Sequence, residues 1–304
     1  SQACGVSREE VTDDMMEEFK EAVSEILTPH ASAILLDPEW GLPAAEAREE
    51  GTGLIMTYEK SSASRRYGDV YTHNLPAKLP ELMPDWSVRK SIDRGADAVK
   101  LLVYYHPDEE DLYNEPKEAL VERVGAECAH YGIPFFLEFV GYDPEGGDWK
   151  NDPDLAEEKP EVVERSIAEF SKDRYMVDVL KVEIPVNMRF VEGTESYEGG
   201  KAVYTRDEAL EHFRVAAEAA ERPMIFLSAG VDAPQMCESL RLANESGALW
   251  NGVLCGRATW QDGIAEYGSG GVEVLRDWLR EGGVENITRM NDIIDDGAGA
   301  WYEV

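Results

Sequence analysis

The sequence is poor in positive charge. It contains 29 lysine and arginine residues against 62 aspartate and glutamate residues, which gives a formal net charge of −33. A nucleic-acid-binding protein needs a basic face, and no basic cluster supplies one here, so we expect no nucleic-acid partner. The acidic residues are spread along the chain, which predicts a self-repelling surface that salt would screen. Such a surface is typical of halophilic proteins, and an ordinary acidic cytosolic protein is the alternative.

Long apolar runs and metal-ligand motifs are also lacking. No stretch of about 18 apolar residues occurs, so we expect no membrane span. The five histidines form no H-E-x-x-H or comparable pattern, so we expect no zinc site made of protein ligands alone. The four cysteines show no C-x-x-C spacing, which favours reduced thiols and a cytoplasmic location. These cysteines are Cys4, Cys128, Cys237 and Cys255.

Seven short apolar runs recur along the chain and alternate, for the most part, with amphipathic stretches. The runs lie at 31–37, 53–58, 97–105, 133–140, 177–184, 223–228 and 251–256. Their nearly continuous hydrophobicity is typical of parallel strands that are covered on both faces. The amphipathic stretches predict helices at 9–27, 43–50, 86–95, 115–131, 159–171, 206–220, 233–246 and 271–281.

The alternation of strands and helices predicts βαβ units, and seven strands at this spacing predict a (β/α)₈ TIM barrel. One strand is unaccounted for, because the chain opens on a helical pattern. We expect either that the first strand precedes residue 1 or that the barrel closes in another way. An open doubly wound sheet is the alternative fold. No linker or repeat divides the chain, which predicts one domain over 1–304.

Lys181 interrupts the apolar run at 177–184. Burial disfavours the charged form of a lysine and lowers its pKa. A lysine that is partly neutral near pH 7 is a nucleophile that can form a Schiff base with a carbonyl compound. The alternative is a lysine at a strand end whose ammonium group simply reaches solvent.

Other polar residues interrupt or end the predicted strands, and the carboxyl ends of the strands form the active site of a barrel enzyme. Lys100 and Glu138 interrupt two of the runs, and Asp37 ends another. Glu183 lies two residues after Lys181 and therefore points to the same side of its strand. This pattern predicts a catalytic cluster of lysine and glutamate, although a buried pair could serve only to balance charge. The segment 141–158 follows a strand and is a candidate cover for the site.

The last two predicted strands are followed by small residues and an arginine. Ser228 and Gly230 come after one strand, and Gly256 and Arg257 come after the next. Barrels often bind phosphate at the loops after strands seven and eight. Glycine lets backbone N–H groups approach the anion, and arginine adds a bidentate donor. We therefore predict a phosphate site, with ordinary strand-to-helix turns as the alternative.

Several long segments resemble the class I tagatose-1,6-bisphosphate aldolases. They include TPHASAILLDPEWGLPAA, DWSVRKSIDRGADAVKLLVYY, ERVGAECAHYGIPFFLE, VDVLKVEIPVNMRFVEG, FLSAGVDAPQMCESL and NGVLCGRATW. The resemblance covers nearly the whole chain, and sulfofructose-phosphate aldolases resemble it less strongly. Members of the tagatose family begin with a further strand that carries an Asp-Gln-Arg motif, and this motif does not occur in the chain.

The resemblance implies a TIM-barrel aldolase that forms a Schiff base and needs no cofactor. Lys181 matches the Schiff-base lysine, Glu138 the acid/base carboxylate and Lys100 the second active-site lysine. Ser228, Gly230, Gly256 and Arg257 lie in segments that match the phosphate-binding ones, and Asp37 lies in a matching motif. The implied reaction cleaves tagatose 1,6-bisphosphate to dihydroxyacetone phosphate and glyceraldehyde 3-phosphate.

Three other functions are alternatives to this one. A sulfofructose 1-phosphate aldolase would use the same lysine, and a sugar-phosphate sensor would bind without cleavage. A deoxyribose-phosphate aldolase fits the long motifs poorly. We further expect that the protein acts on a small sugar phosphate and forms a homo-oligomer, as barrels of this kind commonly do.

Overall fold

A parallel sheet forms the centre of the molecule. The computed structural model describes residue 5, residues 10–60 and residues 78–302, so Cys4 lies outside the described residues. The strands of this sheet are β1 (Ala33–Leu36), β2 (Gly53–Thr57), β3 (Ala98–Tyr104), β4 (Phe135–Val140), β5 (Val179–Val182) and β8 (Met224–Phe226). Two short strands, β6 (Val191–Glu192) and β7 (Tyr204–Thr205), pair separately. They were not predicted, because two residues carry no hydrophobic period.

The strand order identifies the type of winding. The order β1-β2-β3-β4-β5-β8 follows the chain without a reversal, and every neighbouring pair is parallel. A doubly wound sheet would reverse its order at a switch point. The sheet curls into a half-barrel with helices around it, so the predicted barrel-type α/β fold is confirmed. The predicted strand at 251–256 pairs with β8 only through a bridge between Val253 and Phe226.

Helices follow most of the strands. They are α1 (Asp13–Leu27), α2 (Leu42–Glu46), α3 (Val88–Asp93), α4 (Asp111–Tyr131), α5 (Pro153–Phe170), α6 (Arg206–Glu218), α7 (Ala233–Ser246), α8 (Arg257–Trp260), α9 (Gly263–Gly270), α10 (Val272–Trp278) and α11 (Val284–Gly297). Helix α5 begins earlier than predicted, because the Asp152 side chain caps it and Pro153 occupies its first position. Within the described ranges, no helix combines the length and hydropathy that crossing a bilayer requires.

The main core lies between the sheet and the surrounding helices. Leu101, Leu137 and Leu180 are fully buried on the face of the sheet that packs against the helices. Phe170, at the end of α5, is also fully buried, and its ring centroid lies 4.8 Å from that of Tyr105. These contacts fix the strands whose opposite face carries Lys100, Glu138 and Lys181.

Replacing Phe170 by alanine should therefore destabilise the fold by about 3–5 kcal/mol, because it leaves a cavity in the core. Leu112→Ala is the matched control, since that side chain is 69 % exposed and its loss should change stability by about 0.5 kcal/mol or less. Denaturant unfolding measures both values. Equal destabilisation by the two substitutions would contradict this description of the core.

Candidate active site

The register of the sheet brings three predicted site residues together. Glu138 of β4 lies opposite Lys181 of β5, and it also lies opposite Leu102 of β3, two residues after Lys100. Because alternate side chains share one face of a strand, all three point to the inner side of the curled sheet. An apolar layer that includes Ala98, Phe136 and Val179 lies one step earlier along the same strands. Lys100, Glu138 and Lys181 therefore form a charged layer that packs on this buried apolar layer.

A chain of charge-assisted hydrogen bonds joins these residues. Lys181 Nζ lies 2.9 Å from Glu138 Oε1, and Lys100 Nζ lies 2.7 Å from Glu138 Oε2. Lys100 Nζ also lies 2.7 Å from Oε1 of Glu59. Lys181 and Lys100 are only 5 % and 4 % exposed. One carboxylate is thus shared by two buried lysines, and a second carboxylate contacts only one of them.

This asymmetry separates the pKa values of the two lysines. Burial lowers the pKa of Lys181, and the positive charge of Lys100 lowers it further, against the opposing effect of Glu138. Burial also acts against the charge of Lys100, but Glu138 and Glu59 outweigh it and raise its pKa. Burial opposes ionisation of Glu138 too, yet the two lysines lower its pKa to about 2. The cluster therefore holds a lysine with a lowered pKa beside an ionised carboxylate.

Glu59 is a site residue that sequence reasoning missed. It follows β2 by two residues, and its side chain is almost fully buried. Its second oxygen, Oε2, has no hydrogen-bond partner within the described part of the chain. An acidic residue directly after the apolar run at 53–58 was the available signal, because that place is the carboxyl end of a predicted strand.

Glu183 has different partners from Glu138. Its Oε1 lies 3.2 Å from Lys159 Nζ, and its Oε2 accepts a hydrogen bond of 2.7 Å from the backbone N–H of Gly141. These contacts tie β5 to α5 and to the segment after β4. Glu183 therefore stabilises the wall of the site, whereas Glu138 contacts Lys181 directly.

The segment after β8 forms a tight turn. The N–H of Val231 donates to the carbonyl of Ser228 at 3.0 Å, and the two central residues, Ala229 and Gly230, have φ values of 49° and 86°. A positive φ is uncommon for alanine. A Cβ on Gly230 would lie 2.9 Å from Arg257 Nη1. Glycine thus permits both the turn and the close approach of the guanidinium group.

Lys150 is a second basic side chain at this turn, and sequence reasoning missed it. Its Nζ donates to the carbonyl oxygen of Ala229 at 2.8 Å, and the side-chain amide of Asn187 donates to the backbone carbonyl oxygen of Lys150 at 2.8 Å. Burial, and next the charge of Arg257, lower the pKa of Lys150. The bond to Ala229 holds the segment after β4 against the turn after β8, and the bond from Asn187 ties the same segment to the chain after β5.

A cavity of about 350 Å³ connects the amine cluster with the turn. Its lining includes Lys181, Glu138, Ser228, Gly256 and Arg257. This volume is in the range of small-molecule sites. This cavity brings together a lysine with a lowered pKa, an ionised carboxylate and an arginine beside a tight turn. Such a set is suited to Schiff-base chemistry on a carbonyl compound that carries an anionic group. Within the described residues, no cluster of three or more His, Cys, Asp or Glu side chains could hold a metal ion.

A larger, mainly apolar cavity of about 460 Å³ lies next to the first one. It runs between β1, α1 and residues 254–256, and Lys181 and Gly256 line both cavities. Cys255 lies in its wall, where burial raises the pKa of its thiol to about 12. Such a thiol is unreactive, so the chemistry of the site belongs to the lysines and glutamates.

The structure places Asp37 apart from the other predicted site residues. Its Oδ1 accepts hydrogen bonds from the N–H groups of Glu39 at 3.0 Å and Trp40 at 2.9 Å. Its Oδ2 pairs with Lys20. Asp37 does not line the cavity that contains Arg257. Its side chain instead fixes the turn after β1, so we leave it out of the proposed substrate site.

Known relatives resemble the chain over most of its length. It is 48 % identical to a tagatose 1,6-diphosphate aldolase of Listeria monocytogenes, over 94 % of this chain and 81 % of that protein. It is 46 % identical to tagatose 1,6-diphosphate aldolase 2 of Enterococcus faecalis, over 96 % and 85 % of the two chains. The corresponding enzyme of Staphylococcus epidermidis is 44 % identical over 95 % and 86 %.

Comparison with solved structures supports the fold. A fructose-bisphosphate aldolase of Plasmodium falciparum superposes with a TM-score of 0.65 at 12 % identity, covering 95 % of this chain and 84 % of that one. A protein of Corynebacterium glutamicum gives a TM-score of 0.52 at 15 % identity, covering 87 % and 76 %. The sequence profile of the DeoC/LacD family aldolases matches residues 4–262. With this match and relatives that are nearly half identical, the chain belongs to the DeoC/LacD family of aldolases.

Proposed function

We propose that this protein is a class I aldolase that cleaves a phosphorylated ketohexose, with tagatose 1,6-bisphosphate as the favoured substrate. The products are dihydroxyacetone phosphate and glyceraldehyde 3-phosphate. The observation that carries the proposal is the contact of 2.9 Å between the buried Lys181 amine and Glu138, in one cavity with the turn at Ser228. The names of the most similar relatives support the choice of substrate.

Lys181 starts the reaction. Its neutral amine attacks the C2 carbonyl, and the carbinolamine loses water to form an iminium ion. The iminium withdraws electrons from the C3–C4 bond. Glu138 removes the proton of the C4 hydroxyl as this bond breaks, and glyceraldehyde 3-phosphate leaves. The remaining enamine takes up a proton at C3, and water hydrolyses the iminium to release dihydroxyacetone phosphate and the free amine.

The other residues bind and polarise the substrate. The phosphate next to C2 occupies the turn at Ser228 and Gly230, where Arg257 and Lys150 supply positive charge. Gly256 lines the same cavity as Ser228 and Arg257. Lys100 does not line the cavity, but it stays protonated between its two carboxylates and lowers the pKa of Lys181. The reaction uses no metal or cofactor.

Two alternatives differ from this proposal in what they predict. A sulfofructose 1-phosphate aldolase would form the same iminium but prefer a sulfonate at the far end of the substrate. A sugar-phosphate sensor would bind the ligand without cleaving it. Incubation with each candidate ketose phosphate, followed by borohydride trapping and mass spectrometry, identifies the substrate and the modified lysine together.

Association into a homo-oligomer is a separate proposal, which sedimentation analysis tests.

Lys181→Met should abolish turnover, because the variant has no amine to form the iminium. Borohydride and substrate should attach no stable adduct to it, whereas they should modify the wild-type protein at Lys181. Lys172→Met is the matched control, since Lys172 is exposed and pairs with Glu169 outside the site. Wild-type rates in Lys181→Met would contradict the covalent mechanism.

Glu138→Gln should lower kcat by roughly 10²–10⁴-fold, the usual contribution of general acid–base catalysis. Glu183→Gln should lower it less, because Glu183 supports the wall through Lys159 and Gly141 rather than contacting Lys181. Steady-state kinetics of the two variants, with circular dichroism to check folding, separate these roles. A larger loss of kcat in Glu183→Gln would transfer the acid–base role to that residue.

The pH dependence of kcat/KM should respond in opposite directions to two substitutions. The neutral form of Lys181 is the nucleophile, so the acidic limb of the profile reports its pKa in the free enzyme. Lys100→Met removes a repelling positive charge, raises the pKa of Lys181 and moves this limb to higher pH. Glu59→Gln removes a negative charge that favours protonated Lys181, so the limb moves to lower pH. Shifts in the same direction would disprove the proposed coupling.

A further inference from the structure

Lys78 extends into the same cavity as the proposed catalytic residues. Its Nζ lies 4.5 Å from the ring centroid of Tyr104 and 4.8 Å from that of Tyr142. Burial lowers the pKa of Lys78. Its backbone has a φ of 44°, which non-glycine residues rarely adopt. The two tyrosine faces stabilise the ammonium group through cation–π attraction, and they leave its N–H donors available to a ligand.

Tyr142 is held firmly beneath this lysine. Its hydroxyl accepts a hydrogen bond of 2.8 Å from Lys117 Nζ and donates one of 2.8 Å to Glu109 Oε2. Lys117 is fully buried. Because the ring is fixed through both partners, the position of Lys78 above it is defined before any substrate binds.

Lys78 has no carboxylate partner among the described residues, which is unusual in so acidic a protein. Acidic residues outnumber basic ones by 62 to 29 in the chain. The two lysines of the charged layer, Lys100 and Lys181, each have a carboxylate partner. Across residues 10–60 and 78–302, Lys78 forms no ion pair with a carboxylate. A partly desolvated cation that faces a cavity and has no carboxylate partner among the described residues is suited to binding an anion.

The order of the strands places Lys78 at the far end of the substrate. The turn at Ser228 follows β8, Lys181 lies on β5, and Glu138 lies on β4. Tyr104 ends β3, and Tyr142 follows β4 by two residues. Neighbouring strands are about 4.8 Å apart, so the two cationic ends lie two to three strand spacings apart, roughly 10–14 Å along the sheet.

This order matches the order of groups along a bisphosphorylated ketohexose. The phosphate next to C2 would bind at the turn, C2 would face Lys181, and the C4 hydroxyl would face Glu138. We propose that Lys78 binds the second phosphate, on C6, and thereby selects substrates that carry phosphate at both ends. This inference rests on the proposed function and adds to it the residue that recognises the departing glyceraldehyde 3-phosphate.

The test compares a ketohexose 1,6-bisphosphate with the ketohexose 1-phosphate. Lys78→Met should lower the ratio of kcat/KM for the bisphosphate to that for the monophosphate by about 10–100-fold, the usual effect of losing a hydrogen bond to a charged group. Lys78→Arg should restore much of the ratio, because arginine also binds phosphate. Lys90→Met is the matched control, since Lys90 Nζ also lies over an aromatic ring, 4.7 Å from the centroid of Trp86, but does not line the cavity.

Each other outcome overturns the proposal. An equal loss for both substrates in Lys78→Met would assign the lysine a structural role, and an unchanged ratio would assign it no role in recognition. If the proposed function itself is wrong, the wild-type protein will cleave neither the bisphosphate nor the monophosphate, a result that is distinct from those two. In that case, calorimetric binding of the bisphosphate to wild type and Lys78→Met still decides whether Lys78 binds the second phosphate.

Discussion

The structure depends on one carboxylate that is shared by two buried lysines. Glu138 contacts both Lys181 and Lys100, and Glu59 contacts only Lys100. Burial opposes the charge of both lysines, but Glu138 and Glu59 both pair with Lys100 and raise its pKa, whereas Lys181 pairs with Glu138 alone and its pKa is lowered. The structure therefore places a lysine with a raised pKa beside one with a lowered pKa, a difference that isolated lysines in water do not show.

The fold and the centre of the site could be predicted from the sequence because both depend on short-range patterns. Continuous apolar runs indicated buried parallel strands, and the strand order confirms the barrel type of winding. Lys181 and Glu138 were candidates because a charged side chain in a buried apolar strand is costly unless it is paired or functional. Their contact follows from the strand register, which places them opposite each other. Residues 251–256 were predicted to form a full strand, but they pair with β8 only through a bridge at Val253.

The remaining site residues could not be found in this way because they come from loops. Lys78 and Lys150 lie in segments without a hydrophobic period, and only the folded chain brings them to the cavity. Glu59 lies two residues beyond its strand, and only the folded chain shows that it is buried against Lys100. The prediction for Asp37 rested on its place at a strand end, but its side chain caps a turn. The acidic composition still predicts a halophilic source.

The pKa of Lys181 is the quantity that tests this account most directly. It can be measured by NMR titration of protein with ¹³C-labelled lysine, in which Lys181→Met and Lys100→Met identify the two signals. The account predicts that Lys181 loses its proton well below the ordinary pKa of lysine, while Lys100 remains an ammonium ion over the same pH range. Titration of Lys181 together with the exposed lysines, or deprotonation of Lys100 first, would contradict it.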